Sequence, residues 1–148
     1  MKSAGILLFE RDPLRVLLVH PGGPFWARRD DGAWSIPKGE YGDDEDAEAA
    51  ARREFAEETG ASVTGPLIPL GEVRQKAGKI VTAFVVEMPF DVAALKSNLF
   101  DMEWPPRSGR RQSFPEVDRA QWFTLDQARM KILPEQAAFL DRLAARLS

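Results

Sequence analysis

The 148-residue chain has no cysteine and a single histidine, His20. Without cysteine there is no disulfide scaffold, no thiolate zinc site and no cysteine nucleophile. With one histidine, sites that need two, such as an HExxH zinc centre, are excluded. Long hydrophobic runs are missing as well. No apolar stretch approaches the roughly 18 residues that span a bilayer. The N-terminal run Ile6–Phe9 is too short for a signal peptide, so the expected compartment is the cytoplasm, with no membrane partner. What remains is an ordinary soluble composition, 44% hydrophobic and 29% charged, of a length that fits one domain over residues 1–148.

The net charge is small, −3, but it is unevenly spread. Between Gly39 and Gly60 stand nine acidic residues against Arg52 and Arg53, a local charge of −7, so the remainder carries +4. Such a block is either a solvated helix face or a cation site.

Local signals divide the chain. Gly5–Phe9 and Arg15–His20 are short apolar runs separated by the turn residues Asp12 and Pro13, which predicts adjacent strands. Ala33–Ile36 reads as a short strand and residues 37–45 as a loop. Good helix formers fill 46–59, with Asp46 as N-cap and Gly60 as the terminator. Strands are expected near Val63–Glu72, Lys79–Glu87 and Ala120–Phe123. Residues 98–114 read as a polar segment bearing aromatics and arginines. Thr124 is expected to cap a helix over Leu125–Met130, and the apolar spacing of 137–147 predicts a helix from about Pro134 to Leu147. The order of elements predicts an α+β fold or a sheet sandwiched between helices.

On the 46–59 helix, Glu54, Glu57 and Glu58 stand at i, i+3 and i+4 and share one face. Three carboxylates there repel one another unless a positive charge neutralises them. Carboxylate oxygens are the ligands that Mg²⁺ and Mn²⁺ prefer.

Counting from Gly39, five residues precede Glu45 and seven more precede Arg53-Glu54-Phe55-Ala56-Glu57-Glu58-Thr59-Gly60-Ala61. This resembles the Nudix box, Gly-x5-Glu-x7-Arg-Glu-U-x-Glu-Glu-x-Gly-U, where U is bulky and apolar. All seven fixed positions match; Ala61 departs from the pattern by being small. Trp34-Ser-Ile-Pro-Lys-Gly39 also looks like the entry to the box in that family. The resemblance implies a Nudix (MutT-like) α+β fold, a mixed sheet sandwiched between helices with the box as loop–helix–loop, and hydrolysis of a diphosphate linkage in a nucleoside-diphosphate derivative. It implies Glu54, Glu57 and Glu58 as metal ligands, together with the backbone carbonyl of Gly39, and Glu57 as ligand or general base. It implies Mg²⁺ as cofactor, with Mn²⁺ as a substitute. Glu45 and Arg53 look structural.

Outside the box, the resemblance implies a further catalytic carboxylate or base from the loop before a late strand, for which Glu116 is the candidate and Glu103 the second. Arg107, Arg110 and Arg111 are expected to meet phosphates, since guanidinium matches phosphate geometry. Lys38 is expected to touch the substrate phosphate; Pro-Lys-Gly at this place resembles the diadenosine-polyphosphate and diphosphoinositol branches of the family. Trp26, Tyr41 and Trp104 are candidate platforms for a base, whereas Trp34, Trp122 and His20 are expected to be structural. The expected partner is a small-molecule nucleoside polyphosphate. No pronounced basic tract demands nucleic acid. The alternatives are an RNA 5′-end pyrophosphohydrolase and a non-catalytic nucleotide sensor.

Overall fold

In the computed structural model, which describes every residue from Met1 to Ser148, the fold is built on strand β1 (Lys2–Glu10). Ala4, Ile6 and Leu8 of β1 face one side of the sheet, and Leu7 and Phe9 the other. A strand buried on both faces reads as a continuous apolar run and not as an alternation, which is why Ile6–Phe9 stands out in the sequence.

Strand β2 (Arg15–Pro21) returns antiparallel to β1, with Phe9 opposite Val16. Strand β3 (Lys38–Tyr41) pairs antiparallel with the first half of β1, and β5 (Ile80–Glu87) pairs with all of it in parallel. Strand β4 (Ile68–Arg74) extends the sheet beyond β5, and β8 (Val117–Thr124) beyond β2. The six strands run β4-β5-β1-β2-β8, with β3 beside β1.

Helix α1 (Ala47–Thr59) covers one face, seating Ala50, Ala51 and Phe55 against Ile6, Leu8, Leu17 and Phe84. Helices α2 (Leu125–Lys131) and α3 (Ala137–Leu147) cover the other, where Phe139, Leu140 and Leu143 join Leu7, Val16, Leu18, Val81 and Trp34. Each large side chain buried in this way contributes roughly 1.5–3 kcal/mol. The mixed sheet between helices expected from the sequence is therefore the observed α+β architecture. No helix is long and apolar enough to cross a membrane.

Several boundaries differ from the sequence reading. Ala33–Ile36 makes only isolated bridges, Val19 with Ser35 and Trp34 with Ile132. The strand lies further on, as β3, inside the stretch expected to be a loop. It forms because the first half of β1 offers a free backbone edge, and because Gly5 has no Cβ to obstruct the backbone of Pro37. The strand expected from Val63 starts at Ile68. The residues before it are an anchored connection, in which the Arg52 guanidinium donates to the carbonyls of Val63 (3.1 Å) and Gly65 (2.7 Å). The polar segment after Asn98 is a two-stranded ribbon, β6 (Leu99–Glu103) with β7 (Arg111–Pro115). The C-terminal helix begins with a 3-10 turn at Pro134–Gln136.

Candidate active site

Helix α1 starts and stops as its sequence dictates. The Asp46 side chain accepts from the N–H of Ala49 at 2.8 Å, and Gly60 ends the helix at φ 83°. Arg53 ties this helix to the loop before it. Its guanidinium donates twice to Glu45, both at 2.9 Å, and also to Glu54 (2.7 Å) and Glu57 (3.3 Å). Hydrogen bonding to Glu45 is the largest cause holding this guanidinium firmly protonated. The structural role expected for Glu45 and Arg53 is therefore visible in the geometry.

Strand β3 lies directly against the acidic face. A Cβ at Gly39 would overlap the Glu54 carboxylate, so only glycine lets that side chain rest on the strand. The backbone N–H of Lys38 donates to Oε1 of Glu58 at 3.1 Å.

A cleft of about 190 Å³ opens beside this contact. Lys38, Glu58 and Glu116 supply its charged groups, while Val19, Trp26 and Leu133 form apolar wall. Glu116 reaches it through a backbone relay. The N–H of Asn98 donates to the carbonyl of Glu57 (2.9 Å), and the N–H of Glu116 donates to the carbonyl of Asn98 (2.8 Å). The end of α1 thus sets the position of a residue 59 places further along the chain from Glu57.

The carboxylates share an electrostatic strain. Burial pushes the Glu58 carboxyl up to about 8, with Glu116 and Glu54 adding repulsion against the relief given by Lys38. Burial also raises Glu54, against its hydrogen bond from Arg53. Glu116 is raised by burial first and by the charge of Glu57 second. Oxygen is the only donor type among these side chains, and their ionised forms are under-compensated. That is the chemistry of a hard divalent cation. With Arg53 holding Glu54 and Glu57, no three carboxylates converge on a common ion position.

The remaining candidates are distributed as follows. Trp104, Arg107 and Arg110 sit at the turn of the β6–β7 ribbon and not on the cleft wall. Glu103 closes the ribbon turn, its two carboxylate oxygens accepting from the N–H groups of Arg107 (3.1 Å) and Gly109 (3.2 Å). Tyr41 lies beside Lys2, whose ammonium stands over its ring at 5.1 Å. His20 is fully buried, with Nδ1 2.8 Å from Asp118 and Nε2 2.6 Å from the carbonyl of Arg29. Trp34 is buried and meets both His20 and Phe123 edge to face. Sequence reasoning missed Gln136. Fully buried, it accepts from the N–H of Ile36 (3.1 Å) and donates to Ser35 Oγ (3.0 Å), bracing the cleft floor. A lone glutamine between turn and helix carries no local signal of that task.

A sequence profile of the NUDIX domain matches residues 1–143. The chain belongs to the Nudix hydrolase family. The 39–61 segment that resembles the Nudix box folds as the end of strand β3, a loop, helix α1 and a turn. Among curated relatives, an RNA pyrophosphohydrolase of Caulobacter vibrioides is 46% identical over 57 residues, 35% of this chain. That match spans about a third of the relative's length, 33%. Among solved structures, an Ap4A hydrolase of C. elegans in a binary complex superposes with a TM-score of 0.69 at 21% identity, covering 98% of this chain and 97% of that one. The NUDIX domain of Shewanella oneidensis NrtR, complexed with ADP ribose, gives 0.69 at 21% identity over 100% of this chain and 88% of its own. At such identities these two structures establish the fold.

Proposed function

We propose that this Nudix hydrolase cleaves a diphosphate linkage in a nucleoside polyphosphate or a related nucleoside-diphosphate derivative, with Mg²⁺ or Mn²⁺ as cofactor. The observation that supports this most directly is the cleft itself, where Lys38 meets Glu58 and Glu116 at the end of an intact Nudix box. Lys38 attracts the phosphate chain, and its backbone N–H orients Glu58. Glu54, Glu57, Glu58 and the carbonyl of Gly39 would hold the metal, with Glu54 and Glu57 giving up their bonds to Arg53. A bound divalent ion would offset the charge of the diphosphate and lower the pKa of a bound water. Glu116 takes a proton from the attacking water as its oxygen bonds to phosphorus and the bridging P–O bond breaks, the electron pair leaving with the released phosphate group. Its raised proton affinity suits that role. Glu57 is the second candidate for the base.

A panel of nucleoside triphosphates, dinucleoside polyphosphates and nucleoside-diphosphate conjugates, run with Mg²⁺ and with Mn²⁺, tests the reading. Release of phosphate, diphosphate or nucleoside monophosphate is expected for at least one class. Binding with no turnover of any would mark a nucleotide sensor instead. A second reading, action on the 5′ end of RNA, is favoured by the 46% identity to the Caulobacter RNA pyrophosphohydrolase. A steep decline of affinity with salt would support it.

A further inference from the structure

The cleft, at about 190 Å³, is smaller than the roughly 300–1,000 Å³ of ordinary small-molecule pockets. Much of any nucleotide substrate must therefore lie outside it, on the rim. Two segments meet beside the lining residue Trp26. The β2–β3 connection carries Phe25, Trp26, Arg28 and Arg29. Trp26 lines the cleft, and the Arg29 guanidinium stands over its ring at 5.4 Å. The turn of the β6–β7 ribbon carries Trp104, Arg107 and Arg110. The segments join where Phe25 meets Trp104 edge to face, ring centroids 5.4 Å apart. Trp104 and Arg110 are neighbours across the ribbon, linked by a backbone hydrogen bond of 2.9 Å. Phe25 is still 63% exposed despite its contact with Trp104.

The charges on this rim are unbalanced. None of Arg28, Arg29, Arg107 and Arg110 forms an ion pair. The acids nearby are already engaged: Asp30 by Lys131 and Trp34, Glu103 by the ribbon turn, and Asp118 by His20. An exposed Phe25 and a half-buried Trp104 beside unpaired guanidinium groups are the chemistry on which a base stacks while its phosphates are held.

We propose that Phe25, Trp104, Arg107 and Arg110 form a subsite for a second nucleotide of the substrate, joined through the phosphate chain to the part seated in the cleft. This rests on the diphosphate-hydrolase reading and narrows it to substrates that carry two nucleotides. A dinucleoside polyphosphate presents a second nucleotide through its phosphate chain, and the 5′ end of an RNA presents one through its first phosphodiester. Trp104 and Phe25 receive the base, and Arg107 and Arg110 meet its phosphates.

The test uses the full chain with Mg²⁺ and compares wild type with Trp104→Ala, Trp104→Phe and the double variant Arg107→Ala/Arg110→Ala. Binding is measured calorimetrically for methylene-bridged, non-hydrolysable analogues of a nucleoside triphosphate and a dinucleoside tetraphosphate, and for a 5′-triphosphorylated dinucleotide RNA. Trp104→Ala and the arginine variant are expected to weaken the two-nucleotide ligands by about tenfold or more and the one-nucleotide analogue by less than about twofold. Trp104→Phe, which keeps an aromatic face, is expected to retain most of the affinity. Weakening of only the dinucleoside analogue, or only the RNA, identifies the source. Equal weakening of one- and two-nucleotide ligands, or no weakening, overturns the subsite. Failure of the wild type to turn over any hydrolysable substrate would overturn the hydrolase reading, while the binding difference would still decide the subsite.

Discussion

Glu58 is held by the strand that leads into the Nudix box: its Oε1 accepts the backbone N–H of Lys38 at 3.1 Å. One neutral hydrogen bond does not replace the solvation that burial removes, and the carboxyl rises to about 8.

That rise has a sign. Glu58 binds its proton more tightly in the folded protein than in the unfolded chain, where its ordinary value is 4.5. Its stabilising contribution is fully present below about pH 4.5 and is lost as pH climbs through about 8. In metal-free protein, Tm should fall across this window, and Glu58→Gln, neutral at every pH, should flatten the fall. A difference between the two proteins that does not vary with pH would contradict this.

Divalent ions should reverse the effect. At a free Mg²⁺ concentration of about 100 times Kd, stability should rise by about 2.7 kcal/mol, or roughly 5–10 °C in Tm. The shift should be larger at pH 8 than at pH 5, where protons compete for the carboxylates, and smaller in Glu58→Gln. Thermal unfolding with EDTA and with added Mg²⁺ measures it.

Glu116 and Glu103 are both carboxylates of the same chain region, yet they should behave oppositely. Glu116→Gln should lower kcat by about 10²–10⁴-fold, as expected for loss of a general base. Glu103→Gln should leave kcat near wild type and cost about 1 kcal/mol at the ribbon turn, through weakened bonds to two backbone N–H groups. Steady-state turnover and urea unfolding separate the two outcomes.

Gly60 and Gly65 both adopt positive φ, at 83° and 85°. An added Cβ at Gly65 meets nothing within 4 Å, whereas at Gly60 it would stand 2.8 Å from the carbonyl of Lys96. Gly65→Ala should therefore cost only the left-handed strain, about 1–2 kcal/mol. Gly60→Ala should cost more. It should also lower kcat, because the backbone bonds from 96–98 to α1 carry the position of Glu116. Urea titration and turnover of both variants check the contrast.

Helix α1 and its acidic face were legible in the sequence because every determinant is local. Asp46 starts the helix, Gly60 ends it, and the spacing of 54, 57 and 58 puts three glutamates on one side. Strand β3 was not legible, because Lys38-Gly-Glu-Tyr41 has little strand character of its own and extends only along the free edge of β1. The β6–β7 ribbon was hidden for a similar reason: its arginines, serines and prolines signal a loop, and cross-strand pairing overrides them. Lys38 was found from its place beside the box and Gly39 as the box's first residue, and the structure sets them against Glu58 and Glu54. The route by which Glu116 arrives, through the backbone of Asn98, leaves no trace in side-chain type.

The carbonyl of Asn98 and the N–H of Glu116 meet at 2.8 Å, so the whole ribbon from Leu99 to Pro115 leaves and re-enters the fold at one point. Apart from contacts such as Phe25 with Trp104, it is tethered at that junction alone. Ribbons of other lengths and compositions could be grafted at this junction without moving the carboxylate below it. If the proposed subsite holds, the ribbon's share of substrate recognition could be redesigned without loss of the cleft chemistry.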